Sequence, residues 1–143
     1  MKNSVIVDTG FWYALLNDDD DYHTKAVNAL QQLDSSLICT WPVITETSYF
    51  LQSRMGQKQA CEFLESYNDG LYEIYNFTPN QMQRIIILMQ EYADLPMDLA
   101  DASLVILAEE LGHGRILSTD QRDFRTYRWK NHKPFQNLLL PDS

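Results

Sequence analysis

The chain reads as an α/β protein, with a mainly parallel sheet of four or five strands and helices on both faces. Three observations predict this. Short apolar runs of strand length alternate with stretches whose apolar residues recur every three or four positions. No repeat and no low-complexity linker divides the 143 residues, so residues 1–143 read as one domain. With 45% apolar residues and only two cysteines, the chain is large and apolar enough to bury a core without disulfides.

Ser4–Val7 is a short buried strand, and Thr9 to Leu16 follows as a helix with Phe11, Trp12, Leu15 and Leu16 apolar. The run Asn17-Asp18-Asp19-Asp20-Asp21 breaks that helix and supplies caps for a helix over Tyr22–Leu33. Leu37–Thr40 is a second strand, and Pro42 suits the first turn of the helix that runs to about Ser53. Gly56 separates it from another helix ending near Asn68-Asp69-Gly70. Leu71–Phe77 alternates like a strand, and Thr78-Pro79 opens a helix through Tyr92. Leu95-Pro96 stops the chain before a long helix, Met97–Leu111, closed by Gly112. Arg115–Ser118 is a fourth strand and Asn137–Leu140 a fifth. Strands alternating with helices imply parallel pairing, and ligands of such sheets sit at the carboxyl ends of the strands.

Composition narrows the function. A formal net charge of −9, from 20 acidic and 11 basic residues, argues against a general nucleic-acid coat, because phosphate binding rests on cations. Five of the 11 basic residues nevertheless fall in one segment, as Arg122, Arg125, Arg128, Lys130 and Lys133, interleaved with Phe124, Tyr127, Trp129 and His132. That mixture suits contact with phosphates and unpaired bases, and equally a solvated surface with its rings tucked inward. Cys39 and Cys61 have no framework spacing and read as free thiols in a reducing compartment. The first strand begins within a few residues, leaving no room for a signal peptide, and no apolar run approaches the ~20 residues that span a bilayer. A cytoplasmic protein is expected.

The chemistry lies in the acids. Asp8 and Asp120 each follow a strand at its carboxyl end. Glu46, with Val43 three residues before and Phe50 four after, projects towards an apolar helical face. Asp98 and Asp101 open the stripe Leu104, Ala108, Leu111 of the long helix. Blander roles exist for each: a helix cap for Asp98, turn positions for Asp8 and Asp120, an exposed stripe edge for Glu46. Asp101 lies a turn too far in for capping to explain it. Acids facing a core need compensation of their charge, and a divalent cation supplies it. An acid-only set with no His–Cys cluster suits Mg²⁺ or Mn²⁺, and the reaction that fits is phosphodiester hydrolysis.

Four segments then match a known family in order: Val5-Ile6-Val7-Asp8-Thr9-Gly10-Phe11, Ile44-Thr45-Glu46, Asp98-Leu99-Ala100-Asp101-Ala102-Ser103-Leu104, and Ile116 through Phe124. The chain resembles the PIN-domain ribonucleases, and within them the VapC-like toxins of bacterial toxin–antitoxin pairs. The resemblance implies a three-layer α/β/α sandwich and an acidic pocket for Mg²⁺ or Mn²⁺. It makes Asp8 and Asp101 the principal metal ligands, with Asp120 completing the coordination directly or through water. Glu46 would orient the attacking water, Thr9 and Thr119 would support the pocket, and Asp98 and Asp123 would be second-line acids. Arg122, Arg125, Arg128 and Lys130 are candidate RNA contacts. An RNA substrate, a homodimer and a small cognate antitoxin are the implied partners. A catalytically silent RNA- or protein-binding module is the alternative. Asp8-Thr9-Gly10 is also the triplet of aspartic proteases, but there it sits in an all-β hairpin, whereas here it opens a helix.

Overall fold

The protein is described by a computed structural model covering residues 3–141. Its centre is a five-stranded parallel sheet in the order β3-β2-β1-β4-β7. Strand β1 (Ser4–Val7) is buried at all four positions and lies between β2 (Ser36–Thr40) and β4 (Arg115–Leu117). Its register pairs Ser4 with Ser36 on one side and Val7 with Leu117 on the other. Strands covered on both faces carry continuous apolar runs, which is why Val5-Ile6-Val7 and Leu37-Ile38-Cys39 show no polar alternation. The chain moves outward from β1 to β2 to β3 (Tyr72–Tyr75), then returns to the other side of β1 for β4. The sheet order therefore reverses between β1 and β4, and a crevice opens there at the carboxyl ends.

Helices cover the sheet in the expected α/β/α manner. Helix α1 (Thr9–Leu16) packs against α2 (His23–Gln32) and α3 (Trp41–Met55), and α3 packs against α4 (Gln57–Asn68). Trp12 of α1 is fully buried, its ring centroid 5.4 Å from Phe63 and 5.0 Å from Tyr72, so one aromatic cluster joins α1, α4 and β3. Helix α5 (Met82–Glu91), led in by a single tight turn at Pro79–Gln81, packs on α6 (Leu99–Leu111). Helix α6 is buried continuously from Ala102 to Ala108 because it meets β1, β2, α3 and α5 together. Its stripe is therefore wider than Leu104, Ala108 and Leu111 alone. No helix among the described residues is long and apolar enough to cross a membrane.

Several boundaries shift for local reasons. Helix α6 starts at Leu99, not Met97, because Asp98 is extended and caps it. The Asp-rich run does not cap α2 with a side chain; Asp20 instead accepts from the Tyr22 amide at 2.9 Å, a turn just outside the helix. Strand β3 is shorter than Leu71–Phe77, and the last strand, β7 (Gln136–Asn137), begins one residue before the expected Asn137. The basic and aromatic segment is part of the fold. It forms helix α7 (Gln121–Thr126) and a hairpin of β5 (Arg128–Trp129) and β6 (Lys133–Pro134), turned through Lys130 and Asn131 at positive φ. Phe124, Tyr127 and Trp129 are buried, and Phe124 and Tyr127 meet edge to face at 5.2 Å.

Candidate metal and RNA site

Three helices begin at the crevice, and an aspartate caps each. Asp8, directly after β1, accepts the Phe11 amide of α1 at 2.8 Å. Asp98 accepts the Asp101 amide of α6 at 2.8 Å. Asp120, two residues beyond Ser118 at the end of β4, accepts the Asp123 amide of α7 at 3.3 Å. Capping favours Asp at such positions. The partial positive charge of three helix N-termini also makes the crevice hospitable to anions.

These acids line one cavity of about 480 Å³, which holds Asp8, Glu46, Asp98, Asp101, Asp120 and Asp123, with Thr9 and Thr119 beside them. All eight residues proposed for catalysis, metal binding or support thus share one space. Asp101 does take part in capping, contrary to expectation: its carboxylate accepts the Asp98 amide at 3.4 Å, closing a reciprocal box. It also accepts the Tyr127 hydroxyl at 3.2 Å. The Ser118 hydroxyl donates to Asp8 and accepts the Asp120 amide at 2.8 Å, so one side chain ties the ends of β1 and β4 together.

The electrostatics are those of crowded acids. Asp8 is 7% exposed, and burial pushes its carboxyl up to about 7 against the hydrogen bonds from Ser118 and Phe11, with repulsion from Asp120 and Glu46 adding to the rise. Burial also raises Glu46, and Asp98 adds to it. The Thr9 hydroxyl approaches Glu46 and offsets part of that rise, yet makes no hydrogen bond of good geometry. Asp101 is raised by burial and then by the charge of Asp98, and Asp120 by burial and then by its contact with the Asp123 carboxyl. Burial and mutual repulsion thus disfavour the charged form of each carboxyl, and a cation would relieve both.

Among the described residues, no three acid, imidazole or thiol groups stand together as a ready-made ligand set. The donors nonetheless fit Mg²⁺ or Mn²⁺ chemically. They are all oxygens, and Mg²⁺ is commonly held by one or two carboxylates while keeping several waters. The unbonded, buried Thr9 hydroxyl is a further oxygen in the wall.

Three residues that line this cavity, and two that hold its acids from behind it, escape a reading of the sequence. Gly10 lets Thr119 sit against the start of α1; a Cβ there would stand 2.1 Å from the Thr119 hydroxyl. A glycine in the first turn of a helix, where it weakens the helix, is the signal that could have found it. Ser118 and Tyr127 fix Asp8 and Asp101, and their partners are more than twenty residues away, beyond any local pattern. Tyr13 and Arg54 also line the cavity.

The basic candidates separate. Arg122 lines the acidic cavity, with its Nε 3.2 Å from Asp123. Arg128 donates to the carbonyls of Arg125, Thr126 and Tyr127 at 2.7, 3.3 and 3.0 Å, closing the end of α7. Arg125 and Arg128 border a second groove with Phe135 and Leu140. The Lys130 ammonium lies 6.0 Å from the Trp129 ring centroid.

Comparison with known proteins agrees with this architecture. The chain is similar to Ribonuclease VapC26 of Mycobacterium tuberculosis, 23% identical over 124 residues, which is 87% of this chain and 92% of the relative. Its fold matches the crystal structure of VapC20 of Mycobacterium tuberculosis, a sarcin–ricin-loop-cleaving toxin. The TM-score is 0.76 at 19% identity, covering 82% of this chain and 91% of that one. Residues 5–130 match the PIN domain family, and the chain belongs to it.

Proposed function

We propose that this protein is a Mg²⁺- or Mn²⁺-dependent endoribonuclease that hydrolyses RNA phosphodiester bonds, acting as the toxin of a toxin–antitoxin pair. The observation that carries the reading is the convergence of Asp8, Glu46, Asp101 and Asp120 on one cavity at the sheet's switch point. Family membership and the likeness to VapC proteins support it. Asp8 and Asp101 are the principal metal ligands, and Asp120 joins them directly or through water. A Mg²⁺ or Mn²⁺ ion held by these residues would supply a bound water of lowered pKa and offset the phosphate charge.

The chain's own groups do the rest. Asp8 is held in place by Ser118 and the Phe11 amide, and Asp101 by Tyr127 and the Asp98 amide. Glu46, unpaired with any cation among the described residues, accepts a hydrogen bond from the attacking water and orients it. Thr9 and Thr119 shape the wall, while Asp98 and Asp123 hold the neighbouring amides and carboxyls. Arg122 is the candidate RNA contact at the site; Arg125, Arg128 and Lys130 lie outside this cavity.

Cleavage of defined single-stranded RNAs by the pure protein, with and without Mn²⁺, tests the reading. Asp8→Asn and Asp101→Asn should each lower the rate by at least about a hundredfold while the circular-dichroism spectrum stays native. Wild-type rates in both variants would refute the site. Retention of RNA without cleavage in Mg²⁺ or Mn²⁺ would instead identify a silent binding module. On the same reading the protein is a single cytoplasmic domain that forms a homodimer and is held inactive by a small antitoxin. Sizing of the pure chain, and a short open reading frame beside its gene, test these last two points.

A further inference from the structure

Arg54, in the last turn of α3, lines the same cavity as the carboxylates. Its guanidinium carbon lies 4.6 Å from the ring centroid of Phe50 and 5.1 Å from that of Tyr13. Phe50 stands one turn earlier on α3 and Tyr13 comes from α1, so rings from two helices seat the cation. The cavity holds six acids, yet Arg54 forms no ion pair among the described residues. Arg122, the other arginine of the cavity wall, is engaged by Asp123. An arginine that rests on ring faces keeps its N–H edge for an incoming acceptor.

We propose that Arg54 binds a backbone phosphate of the single-stranded RNA, next to the phosphate presented to the carboxylates. The inference rests on the ribonuclease reading and adds to it the wall along which the strand leaves the acids. A planar fork suits phosphate oxygens. Its seat on Phe50 and Tyr13 reduces the side-chain freedom lost on binding. In a chain of net charge −9, a cation at this place sets where the RNA can approach the acidic centre at all.

The test compares wild type, Arg54→Met and Arg54→Lys. Methionine keeps an apolar stem against the rings, and lysine keeps the charge but not the fork. RNA affinity is measured against salt concentration, with Asp8→Asn in every protein to stop turnover. Arg54→Met should flatten the slope of log affinity on log salt by ~0.7, the value for one phosphate contact on a single strand. In proteins with Asp8 intact it should raise KM on the order of tenfold, with kcat changed by less than about threefold. Arg54→Lys should keep the wild-type slope and recover part of the KM. A merely structural role would lower the melting temperature and kcat together and leave the slope alone, and that result would overturn the proposal. Arg54→Met matching wild type in slope and KM would overturn it too, leaving the ribonuclease reading in place. A wild-type protein that neither cuts nor binds RNA would end both.

Discussion

Asp8 carries the clearest single-residue consequence. Burial holds its proton in the folded protein up to about pH 7, whereas an unfolded aspartate releases it near pH 4. Between these values the folded state binds more protons than the unfolded one, so stability falls as pH rises through that window. The cation-free protein should therefore lose at most ~4 kcal/mol between pH 4 and pH 7 from this group. Asp101 and Asp120, raised for the same first reason, act in the same direction. Asp8→Asn keeps an acceptor for the Phe11 amide and removes the titration. Calorimetry in EDTA at pH 5 and pH 8 should show a flatter profile and a higher melting temperature at pH 8 for this variant. An unchanged slope would mean that Asp8 is not the buried proton site. The position of Asp8 at the carboxyl end of a buried strand was legible from Val5-Ile6-Val7, but its hydrogen bond with Ser118 was not, since 110 residues separate them.

At the scale of elements, the crevice depends on how closely the start of α1 approaches the loop after β4. Gly10 and Thr119 define that contact. Gly10→Ala should cost about 1–3 kcal/mol by forcing Thr119 away, in the manner of overpacking. Thr119→Ala in the same chain should recover much of the loss, because the atom met at 2.1 Å is gone and the Thr119 Cβ stands 3.4 Å away. A double-mutant cycle by urea unfolding checks this, and strict additivity would show that the two positions do not meet. The strands and long helices were readable because their apolar periodicity is strong. Helix α7 was not, because its six residues include only one buried hydrophobe, Phe124. The β5–β6 hairpin was equally hidden: two-residue strands carry no alternation, and Lys130 and Asn131 give no glycine signal at the turn.

For the whole molecule, the decisive quantity is negative charge gathered at one end of the sheet. Mg²⁺ should raise the melting temperature more at pH 8 than at pH 5, because protonated carboxyls are poor ligands. Most of that rise should vanish in Asp8→Asn; thermal scans across a Mg²⁺ titration decide it, and an equal rise in both proteins would place the ion elsewhere. RNA affinity should climb with divalent cation for the same reason. The sequence by itself determined the fold class, the parallel pairing of its strands and the identity of the acids, since these follow from periodicity and from charged residues at apolar positions. Tertiary structure alone decided which N-termini converge, that Asp98 and Asp101 cap one another, and that Arg54 and Arg122 line the acidic cavity while Arg128 closes a helix. Those outcomes depend on sheet order and on contacts between distant segments, and no local spacing encodes them.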